Sequence, residues 1–158
     1  MVTLIGMGSG SWEALSAQAQ DAVRRAGLVF GAKRLLAGLP PECTARQFAL
    51  YQPAEILETL AQAPGQDAAV LYSGDTGFYS GASGLLTPLR ALGIPARVYP
   101  GVSSIQLLAA ALGRPWQDWK LVSAHGCACD PVAQCMTERS VFFLTGGAET
   151  PAPLCRKL

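Results

Sequence analysis

The 158-residue sequence predicts an α/β fold: a parallel-rich sheet in an N-terminal domain, followed by a partial second α/β domain. Three observations carry that expectation. Short apolar β-type runs alternate with helical patterns, which places strands side by side with helices crossing between them. The surplus of apolar residues, 50% of the chain, fits strands buried on both faces. Small, polar and glycine-rich segments follow strand after strand.

Each element has a local reason. Val2–Gly6 is an apolar strand that runs into Gly6-Met-Gly8-Ser-Gly10-Ser11. A helix is expected from about Trp12 to Ala26, with Ser11 as N-cap and Gly27 closing it. Leu15, Ala19, Ala22, Val23 and Ala26 share its buried face. Leu28–Gly31 reads as a short strand and Ala32–Ala37 as a short helix. Residues 38–52, with Pro40-Pro41, read as a loop holding a short strand near Gln47. Pro53 introduces a helix at Glu55–Ala63, and Ala68–Ser73 is a continuous apolar strand. Ser83–Leu92 is a helix closed by Gly93, kinked or split by Pro88. A strand at Ala96–Tyr99 and a helix at Ser103–Leu112 complete a domain over residues 1–113. After a linker, a second domain over 118–158 restarts with strands at Lys120–Ser123 and Val141–Thr145, and a helix begins near Pro151. About 40 residues are too few to bury a core alone, so this domain is expected to lean on the first, to lean on a partner, or to be a truncated fragment.

Composition excludes several classes. The formal net charge is +1, with 12 Lys+Arg against 11 Asp+Glu, so no basic surplus is present to neutralise nucleic-acid phosphates. Charged residues make up 15%, against about 25% in ordinary domains, and mean hydropathy is +0.26; neither fits a disordered chain. Gly, Pro or a charge interrupts every apolar run before the ~20 residues that a membrane span needs. The start has no basic n-region and no cleavage site, so a cytoplasmic chain is expected. Five cysteines form no regular framework and read as reduced thiols. Cys127, Cys129 and Cys135 with His125 could also be read as a metal cluster, but C-x-C spacing and a single His fit zinc poorly, and no metal is expected.

The chemistry is expected at the carboxyl ends of the strands, where open parallel sheets bind ligands. Five turns would lie there: Gly6–Ser11, Ser73–Gly81, Pro100–Ser104, His125-Gly126 and Gly146-Gly147. The first is G-x-G-x-G-S, an incomplete dinucleotide fingerprint, equally readable as a tight strand-to-helix turn. Asp75 sits between glycines at a strand end, as a carboxylate facing a cationic ligand centre or as a turn-forming Asx residue. Ser103 and Ser104 open a helix and suit a ligand carboxylate, or Ser103 is simply an N-cap. His125 is the sole histidine, a weak candidate for proton transfer and otherwise a structural hydrogen-bonder.

Together these motifs resemble a known family. Gly6-x-Gly8-x-Gly10, Ser73-Gly-Asp75-x-Gly77-Phe-Tyr-Ser80 and Pro100-Gly-Val-Ser103-Ser104 are similar to those of the tetrapyrrole methylases, which transfer methyl groups from S-adenosylmethionine. Phe30-Gly-Ala-Lys33-Arg34-Leu-Leu36, Pro115-Trp-Gln-Asp118 and Leu121-Val-Ser-x-His125-Gly126 narrow the resemblance to the cobalamin-pathway branch that methylates precorrin-6-type rings at C5, alone or with C15 and a decarboxylation. The resemblance covers nearly the whole chain. It implies a two-domain enzyme, a homodimer, with S-adenosylmethionine between the domains and a C15-methylating partner or fused domain. By it, Ser9, Ser73, Gly74, Asp75, Ser103, Ser104, Leu144 and Thr145 would bind cofactor, and Gly8, Gly10, Lys33 and Arg34 the precorrin substrate. Four positions depart from the family pattern: Ser9 and Ser11 stand for Pro and Asp in the first loop, Thr76 for Pro, and Cys127 for a basic residue.

A sulfonium methyl is already electrophilic, so the protein's main task in such a reaction is in-line placement, without metal or covalent nucleophile. Two other readings stand beside it. One is a methylase of this scaffold acting on uroporphyrinogen or a macromolecule; the other is a non-catalytic ligand-binding or assembly module.

Overall fold

A computed structural model describes residues 1–125, 129–136, 140–146 and 150–158. The chain divides into two compact units, Met1–Ser103 and Ser104–Leu158. The boundary falls just ahead of the helix that the sequence reading places last in its first domain.

The first unit holds five strands: β1 (Val2–Gly6), β2 (Leu28–Phe30), β3 (Arg46–Phe48), β4 (Ala68–Tyr72) and β5 (Ala96–Tyr99). They form one sheet in the order β3-β2-β4-β1-β5, and every pairing is parallel. The register runs Val2↔Ala68 to Gly6↔Tyr72 on one side of β1 and Val2↔Ala96 to Ile5↔Tyr99 on the other. Four helices cross between the strands: α1 (Ala17–Arg25), α2 (Lys33–Leu36), α3 (Pro53–Ala61) and α4 (Ala82–Ala91).

Strand side chains alternate between two cores, as the pleat requires. Ile5, Val29, Ala69 and Leu71 pack with Ala19 and Val23 of α1 and Leu35 and Leu36 of α2. Val2, Leu4, Leu28, Phe30, Ala68 and Val70 pack with Ile56 of α3 and Ala82, Leu85 and Leu89 of α4. The sheet is thus covered on both faces, which is why β1 is buried at all five positions, Thr3 included, and β4 at all but Tyr72, rather than at every second one.

Four details differ from the sequence reading. The helix expected from Trp12 is broken: Trp12–Ala14 is a 3₁₀ turn, Leu15 and Ser16 are extended, and α1 starts at Ala17. Its cap is Ser16, whose Oγ accepts from Ala19 N at 3.3 Å. Ser11 instead donates to Glu13 Oε2 at 2.6 Å, which holds the Glu13 carboxyl below its usual range. The Gln20 amide donates to the carbonyls of Trp12 and Leu15 at 3.1 and 3.4 Å, tying the turn to the helix. Gly27 does not close α1; Ala26 is its cap, and Gly27 N donates to Asp67 O at 2.8 Å. Pro88 does not split α4, which is continuous from Ala82 to Ala91. Gly93, by contrast, takes the left-handed conformation (φ +66°) expected after a helix end.

The second unit contains α5 (Ser104–Leu112), β6 (Lys120–Ser123), α6 (Pro131–Cys135), β7 (Val141–Leu144) and α7 (Pro151–Lys157). β6 and β7 pair in parallel, Lys120↔Val141 to Ser123↔Leu144. The sequence reading names no helix between these strands, although Asp130-Pro131 is a helix start: the Asp130 carboxylate accepts from Val132 N and Ala133 N at 3.1 and 3.3 Å. Among the described residues, no helix is long and apolar enough to cross a membrane.

Candidate functional site

Strand order alone selects one edge of the first sheet. β1 continues to a helix on one face, and its neighbour β4 continues to a helix on the other. Their loops diverge, which opens a crevice at the carboxyl ends of the strands. Three of the five expected turns meet here, after β1, β4 and β5.

Backbone, not side chains, joins them. Met7 N donates to Tyr72 O at 2.8 Å. Gly8 and Gly74 then form an isolated antiparallel bridge, with N–H···O distances of 3.0 and 2.8 Å. Both glycines are left-handed (φ +57° and +67°), a conformation that costs an L side chain about 1–2 kcal/mol. A Cβ on Gly6 would lie 2.6 Å from Gly101 N and 2.7 Å from Gly74 O. One on Gly101 would lie 2.5 Å from Gly6 O and clash with Gly74 O as well. The third loop is therefore pressed against the first two, with no room for a side chain between them. The open side is at Gly74, where a Cβ would meet only Ser103 Cα, at 3.9 Å.

Asp75 holds this arrangement. Its Oδ2 accepts from Gly77 N at 2.8 Å, the Asx turn that the sequence allowed. Its Oδ1 accepts from Gly101 N at 3.1 Å, which ties the β4 loop to the β5 loop. A carboxylate oxygen has a further lone pair, so both contacts leave acceptor capacity for a ligand. Thr76, where the family pattern has Pro, donates from Oγ1 to Tyr99 O at 3.4 Å and adds a second link between the same loops. Ser103 is buried and Ser104 is the exposed first residue of α5. Ser9 is exposed within the first loop.

Of the two expected cations, Arg34 reaches this edge. Lys33 and Arg34 are exposed on α2. The Arg34 Nη2 donates to Ser73 Oγ, across 39 residues of sequence. Its Nη1 lies 3.6 Å from where a Gly10 Cβ would stand. α2 closes on the same loop at its other end, since a Cβ on Gly38 would lie 2.5 Å from Gly10 O. The ion pairs among the described residues are Met1 amino group–Asp67 and Arg25–Asp21, so neither Lys33 nor Arg34 has a carboxylate partner there. The sequence pointed to Arg34 but not to its contact with Ser73. It also gave no sign that Tyr79, in the β4–α4 loop, has the one positive φ among described non-glycine residues (+47°).

In the second unit, the remaining expected residues gather at the ends of β6 and β7. Ala124 N donates to Leu144 O at 2.8 Å, and Thr145 follows. The exposed His125 imidazole lies against Gly146, where a Cβ would come within 2.5 Å of its Cε1. Gly126, Cys127 and Gly147 lie outside the described residues. Cys43, Cys129, Cys135 and Cys155 are free thiols, and among the described residues no three His, Cys, Asp or Glu side chains group as a metal site.

Comparison with known proteins places this edge in context. Over its full length the chain is 32% identical to a cobalt-precorrin-7 C(5)-methyltransferase of Salmonella typhimurium, covering 77% of that protein. It is also 32% identical, over 83% of its length, to a decarboxylating precorrin-6Y C(5,15)-methyltransferase of a Sinorhizobium species, of which it covers 32%. A solved uroporphyrin-III C-methyltransferase of Thermus thermophilus, complexed with S-adenosylhomocysteine, shares the fold: TM-score 0.72 over 99% of this chain and 72% of that one, at 22% identity. The profile of the Tetrapyrrole (Corrin/Porphyrin) Methylases matches residues 1–157. With its parallel sheet and its glycine-built strand ends, the chain belongs to that family.

Proposed function

We propose that the chain takes part in S-adenosylmethionine-dependent C-methylation of a precorrin, at C5 of a precorrin-6-type ring in cobalamin biosynthesis. The observation that carries this reading is the edge where β4, β1 and β5 end: three loops interlocked through glycine, with the exposed Arg34 beside them and without an acidic partner among the described residues. The whole-length similarity to a C(5)-methyltransferase supports the choice of ring position.

S-adenosylmethionine supplies a methyl group on a sulfonium centre, open to attack by a nucleophilic ring carbon. The residues present fit such a molecule. Gly74 offers an open backbone surface for close approach, and Asp75 places negative charge beside it. Ser9 in the first loop and Ser103 at the third complete the proposed lining within the first unit; in the second unit, Ser104, Leu144 and Thr145 are the residues proposed to contact cofactor. Because Asp75 and Gly101 lock two loops together, the placement of a bound ligand would be set by a rigid backbone rather than by mobile side chains, which is what in-line transfer demands. Lys33 and Arg34 would take the carboxylates of the ring, Arg34 in bidentate fashion. His125, exposed at a strand end, is the residue proposed to accept a proton from the methylated carbon.

Isothermal titration calorimetry with S-adenosylhomocysteine tests the cofactor half. Binding is expected, and Asp75→Ala should weaken it by about tenfold or more, because both loop contacts are charge-assisted. Incubation with a precorrin-6-type ring, followed by mass spectrometry, tests the substrate half. A chain that binds S-adenosylhomocysteine yet methylates another tetrapyrrole and no precorrin would sink the C5 assignment.

A further inference from the structure

Ser73 stands in the first β4-loop position, where the family resemblance implies a cofactor contact. Its hydroxyl is already engaged by the Arg34 guanidinium. α2 and the end of β4 are distant in sequence but near in the sheet, because β2, from which α2 departs, is the neighbour of β4. Arg34 is exposed, has no carboxylate within ion-pair distance among the described residues, and runs past Gly10 at the mouth of the first loop. A guanidinium carries five donors, and Ser73 occupies one side of that fork. The remaining donors are left for a carboxylate, with the side chain already fixed in direction.

We propose that Ser73 is a positioning residue for Arg34, and that the pair forms a preset clamp for a peripheral carboxylate of the tetrapyrrole. This rests on the methylase reading above and deepens it, since it assigns Ser73 to substrate recognition. Long cationic side chains lose rotamer freedom when they bind. A serine that holds the guanidinium beforehand removes part of that cost. Without Ser73, Arg34 keeps its charge but must be ordered by the ligand.

The test is a double-mutant cycle on the full chain, with Ser73→Ala, Arg34→Ala and their combination. The probes are uroporphyrin I, an eight-carboxylate tetrapyrrole, by fluorescence, and S-adenosylhomocysteine by calorimetry. Ser73→Ala should weaken uroporphyrin I about fivefold, as expected for one hydrogen bond, and Arg34→Ala at least about tenfold. The double variant should be no weaker than Arg34→Ala alone, because Ser73 acts through Arg34. Ser73→Thr, which keeps the hydroxyl, should restore most of the loss. Affinity for S-adenosylhomocysteine should stay within about twofold in all of them.

Additive losses in the cycle, or a Ser73→Ala variant that loses S-adenosylhomocysteine instead, would overturn the clamp while leaving the methylase reading intact. A wild-type chain that binds S-adenosylhomocysteine but not uroporphyrin I would overturn it too. A wild-type chain that binds neither probe would remove both readings together.

Discussion

Gly101 and Gly146 each stand two residues beyond a strand, β5 in the first unit and β7 in the second, yet they are glycine for different reasons. Around Gly101 the obstacle to a side chain is backbone: the carbonyls of Gly6 and Gly74 leave no space for a Cβ. Around Gly146 the obstacle is one imidazole, that of His125, at an exposed position. Backbone at the meeting point of three strands cannot move without disturbing the sheet, whereas an exposed side chain can rotate away. A glycine at a strand end is thus a fixed requirement in one unit and a local accommodation in the other.

The largest effect expected from this contrast lies between Gly101→Ala and Gly146→Ala. Gly101→Ala should destabilise the first unit by about 3 kcal/mol, the upper range for forced overpacking, and abolish binding of S-adenosylhomocysteine. Gly146→Ala should cost less than about 1 kcal/mol and simply displace the His125 ring. Urea unfolding curves measure both. Equal costs at the two positions would break the comparison.

Which features of the strand-end edge were legible in the sequence follows from the kind of contact involved. The strands β1 and β4 show as largely apolar runs because a sheet covered on both faces buries nearly every position of its inner strands, and the glycine-rich ends of β1, β4 and β5 mark the edge where open parallel sheets bind ligands. Asp75 was visible as a carboxylate among glycines. Its bond to Gly101 was not, because that partner is a backbone N–H 26 residues away. The Arg34–Ser73 contact depends on β2 lying beside β4, and strand order leaves no mark on local pattern. α6 is a different kind of miss: the Asp130-Pro131 start signal was present, but the helix is only five residues long.

Alkaline titration sharpens the contrast by probing how far burial in the first unit extends toward its glycine edge. Tyr72 is the last residue of β4, in register with Gly6, and burial pushes its phenol up to about 12. An unfolded tyrosine ionises near about 10. Between these values the unfolded chain gives up a proton that the folded chain keeps. The stabilising contribution is therefore complete below pH 10, falls as pH rises, and is gone above 12. The loss should amount to about 1–2 kcal/mol once solvent screening of a partly exposed ring is allowed for. Tyr72→Phe should flatten that decline in unfolding curves, and an unchanged slope would mean that burial stops short of the strand end.

The smallest expected effect separates two serines at the other end of the first loop. Ser11 lies directly beyond the glycines, and the sequence alone favours it as the start of one long helix. In the structure its hydroxyl serves Glu13, whose carboxylate is fully exposed, whereas Ser16 accepts from a helical N–H that would otherwise lack a partner. An exposed side-chain pair adds little to stability, and a cap of this kind is worth about 1 kcal/mol. Ser16→Ala should therefore lower stability by about that amount, and Ser11→Ala by no more than a few tenths, in paired urea melts. The reverse order would mean that α1 begins at Trp12 in solution. The Gln20 amide would then have no broken turn to bridge, and Leu15 would reach the core from within a helix rather than from the extended segment that now carries it there.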